Sequence, residues 1–387
     1  MKVLKLVSKN LLRHKLRTFL TILGLAFAVF ASGFLRTIVT AWYSGVEASS
    51  TSRLITRHAV SFIYPLPLSY RDQIEKIPGI KSVSYAYWFQ GVYKDNSFDN
   101  FFPRFAIDAE NFLEMYPEFI VPYDQLETFK KERNSCIVGK KIMDKYGWKV
   151  GDVVPIEGDI FPGKWEFVIR GTYHGKDRTV DETQMFLQWT YLEEQLKQRS
   201  PYRAGQVGWY TIQIVNANDA ATVSESVDAL FVNSSAKTKT ETEKAFQQSF
   251  VSLSSAILTS LEVISYVIIG IILLVLANTI IMSARERIRE YAVLKTLGFS
   301  SGHIVGLVGG ESLIIAAIGG CLGIVFTFPM AAAVASGFPT MFPVFNVELS
   351  TIVLSMTFSL LVGVLASIFP AVRAARIKIV DGLRQIG

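Results

Sequence analysis

Between His303 and Arg373 this chain has no lysine or arginine, and between Val263 and Ala284 it has no charged residue of either sign. Charged residues make up only 19% of the chain, hydrophobic residues 50%, and the mean hydropathy is positive. A wholly soluble enzyme does not carry such stretches; a membrane protein with one sizeable soluble domain does. Cysteine is nearly missing too. Cys136 lies in a polar segment and Cys321 in an apolar run, so no disulfide framework is expected and each reads as a small buried hydrophobe. The four histidines are scattered without ligand spacing, which leaves no expected metal site. The phosphate-binding pattern G-x-x-x-x-G-K-[ST] does not occur, nor do H-E-x-x-H and C-x-x-C. The chain is therefore expected to supply no catalytic residue and to bind no cofactor itself. If ATP is used, Mg-ATP sits on another polypeptide.

The charges that are present have a pattern. Residues 1–17 carry six basic side chains and no acid; 285–303 carry four basic and two acidic; 373–387 carry four basic against Asp381. The long segment 44–262 has 24 basic and 28 acidic residues. The basic excess thus sits in three short segments beside apolar runs. That is the positive-inside distribution, and it places all three in the cytoplasm. It also explains the net charge of +6 without a nucleic-acid partner.

Taken in order, residues 1–17 read as a basic amphipathic helix on the inner leaflet, with Leu4, Val7, Leu11 and Leu12 at helical spacing. A first span covers 18–43. Ala26, Ala28 and Ala31 would suit signal cleavage, but the basic stretch is long and the apolar run continues, so a retained span is expected. Residues 44–255 form a soluble extracytoplasmic α+β domain, in two subregions of about 60–135 and 136–235. Alternation predicts strands at Ile80–Phe89, Ser135–Val138, Val153–Ile156, Trp165–Arg170 and Tyr210–Val215. Helices are expected over Ser69–Ile77, Gly139–Tyr146, Thr190–Gln198 and Asn218–Phe231, and Lys237–Lys244 reads as a polar link. A helix from Ala245 is expected to run on into the second span, 256–284. Then come a cytoplasmic loop, 285–303, a third span, 304–336, an outer loop, 337–348, a fourth span, 349–372, and a cytoplasmic tail, 373–387. The fold class is a four-span α-helical membrane protein whose large outer domain lies between spans one and two. Gly319, Gly320 and Gly323 would let helices approach closely.

Plotted as one helix, residues 285–298 put Ile288, Tyr291 and Ala292 on one arc. Val293, Leu294 and Leu297 fall opposite, with Glu286 and Glu290. Such a helix has two things to touch: the bundle or lipid on one side and a partner's groove on the other. Alternatively the second span simply runs out and stops at Gly298 as a C-cap. Arg36 and Glu311 are the polar residues inside spans. Arg36 is expected to snorkel outward or face the bundle, and Glu311 to be functional, to pair with a basic neighbour such as His303 or Arg373, or to make a helix-packing hydrogen bond.

These residues resemble the permease subunits of MacB/FtsX-type ABC transporters, also called type VII or mechanotransmission transporters. Asn10 to Gly24 is similar to the family's approach to the first span. Arg287, Arg289, Glu290, Leu294, Lys295, Leu297 and Gly298 match its R-x-R-E-x-x-x-L-K-x-L-G loop. Glu311 sits where the family has a glutamate, Pro370 to Arg376 match P-A-x-R-A-A-R, and Gly139–Asp152 resembles a piece of the outer domain. The proline and alanine of the family's P-x-x-A-L-R ending are absent at Ile379–Arg384. The resemblance implies that the seven loop residues dock an ABC ATPase on a separate chain. It implies a second permease, the same or different, and contact with lipid. A periplasmic adaptor or substrate protein is a further partner. It places the chain in the bacterial inner membrane with both termini cytoplasmic. The implied function is to couple ATP hydrolysis to movement of the outer domain, for export or displacement of a hydrophobic or amphiphilic peptide, drug, lipid or lipoprotein. The alternative is an FtsX-like regulator of an outer cell-wall hydrolase that transports nothing.

Overall fold

The computed structural model describes residues 15–338, 342 and 344–376. The expected amphipathic helix up to His14, part of the outer loop and the tail beyond Arg376 lie outside the described residues. Two compact units result. One holds the described residues up to Ala41, Ser255–Val334 and those from Phe345 on; the other holds Trp42–Ser254 with the described residues of 335–344.

The helical unit is built on long apolar helices. Among the described residues four are long and apolar enough to cross a membrane: α1 (Lys15–Ala48), α9 (Ser255–Glu286), α11 (Ser301–Gly337) and α12 (Leu349–Ala375). Hydrocarbon offers no partners for backbone N–H and C=O groups, so uninterrupted helices are the form such runs must take. Pro329 and Pro370 lie inside α11 and α12 without ending them. Small residues set the packing. A Cβ on Gly319 would meet Leu25 at 2.9 Å, and one on Gly323 would meet the Ala26 carbonyl at 2.6 Å, so α11 lies close against α1. Ala316 and Gly320 do the same against Gly363 and Ser359 of α12. There Ser312 Oγ donates to the Gly363 carbonyl and Ser359 Oγ to the Ala316 carbonyl, each at 2.6 Å. Without a hydrophobic drive between helices in lipid, such close contact and polar stitching hold them together. α9 packs along α12, and its Ile272, Leu276 and Ile280 are buried in the helical core, Ile272 beside Gly24 of α1.

The other unit is an α/β domain on one mixed sheet. Its strands are β1 (Arg53–His58), β2 (Leu66–Pro67), β3 (Ile80–Trp88), β4 (Gly91–Val92), β5 (Arg104–Ile107), β6 (Phe119–Ile120) and β7 (Ser135–Gly139). They continue with β8 (Val153–Gly158), β9 (Gly163–Gly175), β10 (Met185–Gln188), β11 (Gln206–Val207), β12 (Trp209–Ile214) and β13 (Thr238–Thr242). The large sheet runs β13-β1-β12-β3-β5-β10-β7-β9-β8-β4, with β6 on β9, while β2 and β11 pair apart. The β5/β10 and β7/β9 pairs are parallel and the rest antiparallel. Both faces are buried. Leu54, Tyr85, Ala106, Val138, Leu187 and Tyr210 enter one core, and their neighbours Ile55, Ala86, Ile107, Ile137, Phe186 and Trp209 the other. The alternation is that of the pleat. Helices include α2 (Arg71–Ile74), α3 (Phe112–Met115), α4 (Tyr123–Lys131), α5 (Lys140–Tyr146), α6 (Trp189–Arg199), α7 (Ala220–Phe231) and α8 (Glu243–Leu253).

Three readings are corrected here. The expected subregions, about 60–135 and 136–235, share one sheet: β10 pairs with β5, and β12 inserts between β1 and β3. The polar link at Lys237–Lys244 contains β13, whose Thr238 and Thr240 are buried while Lys239 is exposed. Period-two threonine is a strand signal that the flanking charges obscured. The helix from Ala245 does not run on into the second span. α8 ends at Leu253, and Ser254 (φ −98°, ψ 5°) separates it from α9.

The close helix contacts give a direct test. Gly363→Val is expected to destabilise the chain by about 1–3 kcal/mol through overpacking. Gly270→Ala should cost nothing, because no atom lies within 4 Å of a Cβ placed there. Thermal unfolding in detergent measures both, and equal midpoints would overturn the packing argument.

Candidate functional site

The candidate site is the turn where α9 ends. Arg287 (φ −105°, ψ 16°) breaks the helix, and α10 (Ile288–Thr296) follows. Leu297 caps α10, and Gly298 turns the chain with φ +88°, a left-handed conformation that a side chain resists. Residues 285–298 are therefore two helices with a corner at Arg287, where a single helix is expected.

Two ion pairs frame the corner. Glu286 accepts both guanidinium N–H groups of Arg17 of α1, each at 2.8 Å. Arg287 turns the other way. Its side chain is 5% exposed, and Nη1 donates to Glu311 Oε2 of α11 at 2.8 Å, with Nη2 3.5 Å from Oε1. Ser283 Oγ adds a 3.5 Å contact to Glu311 Oε1. A small polar space of about 20 Å³ lies among Arg17, Thr21, Thr279, Ser283, Arg287 and Glu311. The pair fork-to-fork is the geometry arginine makes with a carboxylate, and its burial makes each partner depend on the other. Glu311 thus meets a basic neighbour, as expected, but that neighbour is Arg287 rather than His303 or Arg373.

α10 has two distinct sides. Tyr291 and Ala292 are buried in the helical unit, and burial pushes the Tyr291 phenol up to about 12. Lys295 Nζ donates at 2.7 Å to the carbonyl of Ala375, at the end of α12. A cation there also opposes the partial negative charge of a helix C-terminus. On the other side Val293 and the capping Leu297 are exposed, Leu297 at 70%, and Phe299 past the turn is exposed as well. Ser300, the serine of Gly298–Gly302, which spells G-x-S-x-G, has its Oγ 2.8 Å from His303 Nδ1. That motif works as a nucleophile elbow between a strand and a helix; here it joins two helices, α10 and α11.

Two family profiles divide the chain. Residues 18–230, more than half of it, match the MacB-like periplasmic core domain, and residues 262–379 match the FtsX-like permease C-terminal. The chain belongs to the MacB/FtsX-type ABC transporter permeases. An uncharacterized ABC transporter permease, YvrN, of Bacillus subtilis is 31% identical over 28% of this chain and 25% of its own length. A macrolide export ATP-binding/permease protein, MacB, of Bdellovibrio bacteriovorus is 29% identical over 34% of this chain and 19% of its own length. The chain thus matches a quarter or less of either relative's length. Among solved structures, the periplasmic region of MacB from Actinobacillus actinomycetemcomitans gives a TM-score of 0.38 at 11% identity, over 53% of this chain and 95% of that one.

In this permease the seven loop residues do not share one surface. Arg287 points inward to Glu311 and Lys295 to Ala375. Leu294 is half-buried against the helical core and Glu290 is half-buried. Arg289, Leu297 and Gly298 are exposed. Arg36 is exposed on α1 and so does not face the bundle. Arg17, Glu286 and Ser283 were not among the expected site residues. Glu286 carried the usable signal, as the first acid after a long uncharged run, but its partner is 269 positions away.

Removing one member of the Arg287–Glu311 pair should strand a buried charge. Arg287→Met or Glu311→Leu alone is expected to cost about 3–5 kcal/mol. The double variant Arg287→Met/Glu311→Leu should regain most of that, because it leaves no charge behind. A double-mutant cycle of thermal stability in detergent checks this; additive losses would refute the pairing.

Proposed function

We propose that this chain is a permease subunit that couples ATP hydrolysis on a separate ABC ATPase to movement of its α/β domain. The observation that carries the reading is the two-sidedness of α10. Tyr291, Ala292 and Lys295 fasten it to the spans, while Val293, Leu297 and Phe299 offer an apolar surface to something else. An exposed apolar patch beside charged residues is the form a docking site takes. The MacB relative's name joins ATP-binding and permease, and the sequence here holds no G-x-x-x-x-G-K-[ST] stretch, which supports an ATPase supplied in trans with its Mg-ATP.

In this reading the ATPase grips the outer side of α10 at Leu297 and Arg289. Displacement of α10 passes to α9 through the corner at Arg287 and to α11 through Glu311. Two permeases, each holding one ATPase, would be driven together when ATP closes the motor. The rigid-body motion then reaches the α/β domain, which expels or displaces a hydrophobic or amphiphilic substrate without itself catalysing a reaction. The charge distribution supports an inner-membrane protein with both termini in the cytoplasm and the domain outside.

Leu297→Asp is expected to weaken co-purification of the ATPase by about tenfold or more, with insertion and thermal stability unchanged. Tyr291→Ala should instead lower stability. Full ATPase recovery with Leu297→Asp would overturn the docking surface.

Topology is tested separately. Ser235 is exposed in the domain. Ser235→Cys, in a Cys321→Ala background, should react with an impermeant thiol reagent in intact cells, or in spheroplasts where an outer membrane intervenes. Labelling only after lysis would put the domain on the wrong side.

A further inference from the structure

The α/β domain contains a cavity of about 390 Å³ that the coupling reading does not use. Small-molecule sites usually measure roughly 300–1,000 Å³. Its walls include Phe62, Trp88, Phe105, Phe186, Trp209 and Phe250. The ring centroids of Trp88 and Phe105 lie 5.1 Å apart, those of Phe105 and Trp209 5.7 Å, and those of Phe62 and Phe250 5.8 Å. The rings on this face of the sheet are not closed off alike. Phe129, Tyr173 and Phe186 are at most 1% exposed, while Phe62, Trp88 and Phe105 around the cavity stay half-exposed and Phe250 is 43% exposed. A core that needed only to exclude water would be closed over them.

The cavity's charge is one-sided. Arg53, Glu118, Asp181 and Glu243 line it. Arg53 is shared: Nε donates to Glu243 at 2.8 Å, and Nη1 donates to Glu118 at 3.1 Å and to the Met115 carbonyl at 2.9 Å. Asp181 accepts from the Thr183 backbone N–H and hydroxyl and from Gln184 Nε2, and forms no ion pair among the described residues. One guanidinium among three carboxylates leaves the lining two negative charges in excess. Aromatic faces and a carboxylate excess attract the same kind of ligand, because ring faces carry negative potential.

We propose that this cavity binds an organic cation with an aromatic or other apolar body, its body among the rings and its charge toward the carboxylates near Arg53. The site acts through the domain's own side chains and needs no ATPase to form.

The test uses the full chain in detergent and two probes with one body: (2-naphthylmethyl)trimethylammonium and 2-naphthylmethanesulfonate. Calorimetric titration should show saturable binding of the cation, about tenfold tighter than the anion. Trp88→Ala should weaken the cation by about tenfold and Phe250→Ala by about fivefold. Phe250 is exposed enough to be removed without loss of fold, so it decides the matter if Trp88→Ala unfolds. Leu297→Asp should leave cation binding unchanged, which separates failure of this site from failure of ATPase docking. Equal affinity for the two probes, unsaturable partition, or full binding by Phe250→Ala would each overturn the proposal.

Discussion

The helical unit turns on one constraint: a carboxylate nearly three turns into an apolar helix must meet a cation. Glu311 is that carboxylate and Arg287 the cation. A charge left alone in a low-dielectric setting is costly enough that the backbone yields first. α9 ends one residue before Arg287, the chain turns, and α10 restarts with Tyr291 donating its N–H back to the Arg287 carbonyl at 3.0 Å. The adjacent Glu286 points to Arg17, so the same corner ties α9 to two different helices.

That corner explains why α10 has a free side. Its buried residues and Lys295 are committed to the bundle, and what stays exposed is Val293 and Leu297 beside Arg289 and Thr296. In the proposed coupling, a partner that moved Leu297 would move a helix already tied to α11 at its Arg287 corner and to α12 through Lys295. The break at Ser254 leaves α8 and α9 as separate helices.

The α/β domain follows a different logic. Both faces of the central strands are apolar and covered, while β8 and the start of β9 alternate buried with exposed residues. Both cores are rich in aromatic rings, and the smaller one is left open around Arg53 and its two carboxylates. Burial raises the Glu243 carboxyl, while the Arg53 charge and hydrogen bond work against that rise. The cluster is thus a place where the domain accepts the cost of buried charge.

The sequence alone specified the four long apolar helices, the large domain between the first and second, and the family, because apolar run length and contiguous motifs are local in the chain. Strands such as Ile80–Trp88 and Trp209–Ile214 were legible for the same reason, since alternation needs only neighbours. It did not determine which side of the loop each residue serves. Arg287 and Lys295 read as surface charges until their partners, 24 and 80 positions away, are in place. It did not show that the domain is one sheet, because β12 and β10 reach their neighbours across long connections, and strand order is set by packing both faces. Nor could it show the cavity, whose rings come from five strands and loops and from α8. Those outcomes were decided by tertiary structure, where burial in a low dielectric selects partners that no spacing rule announces.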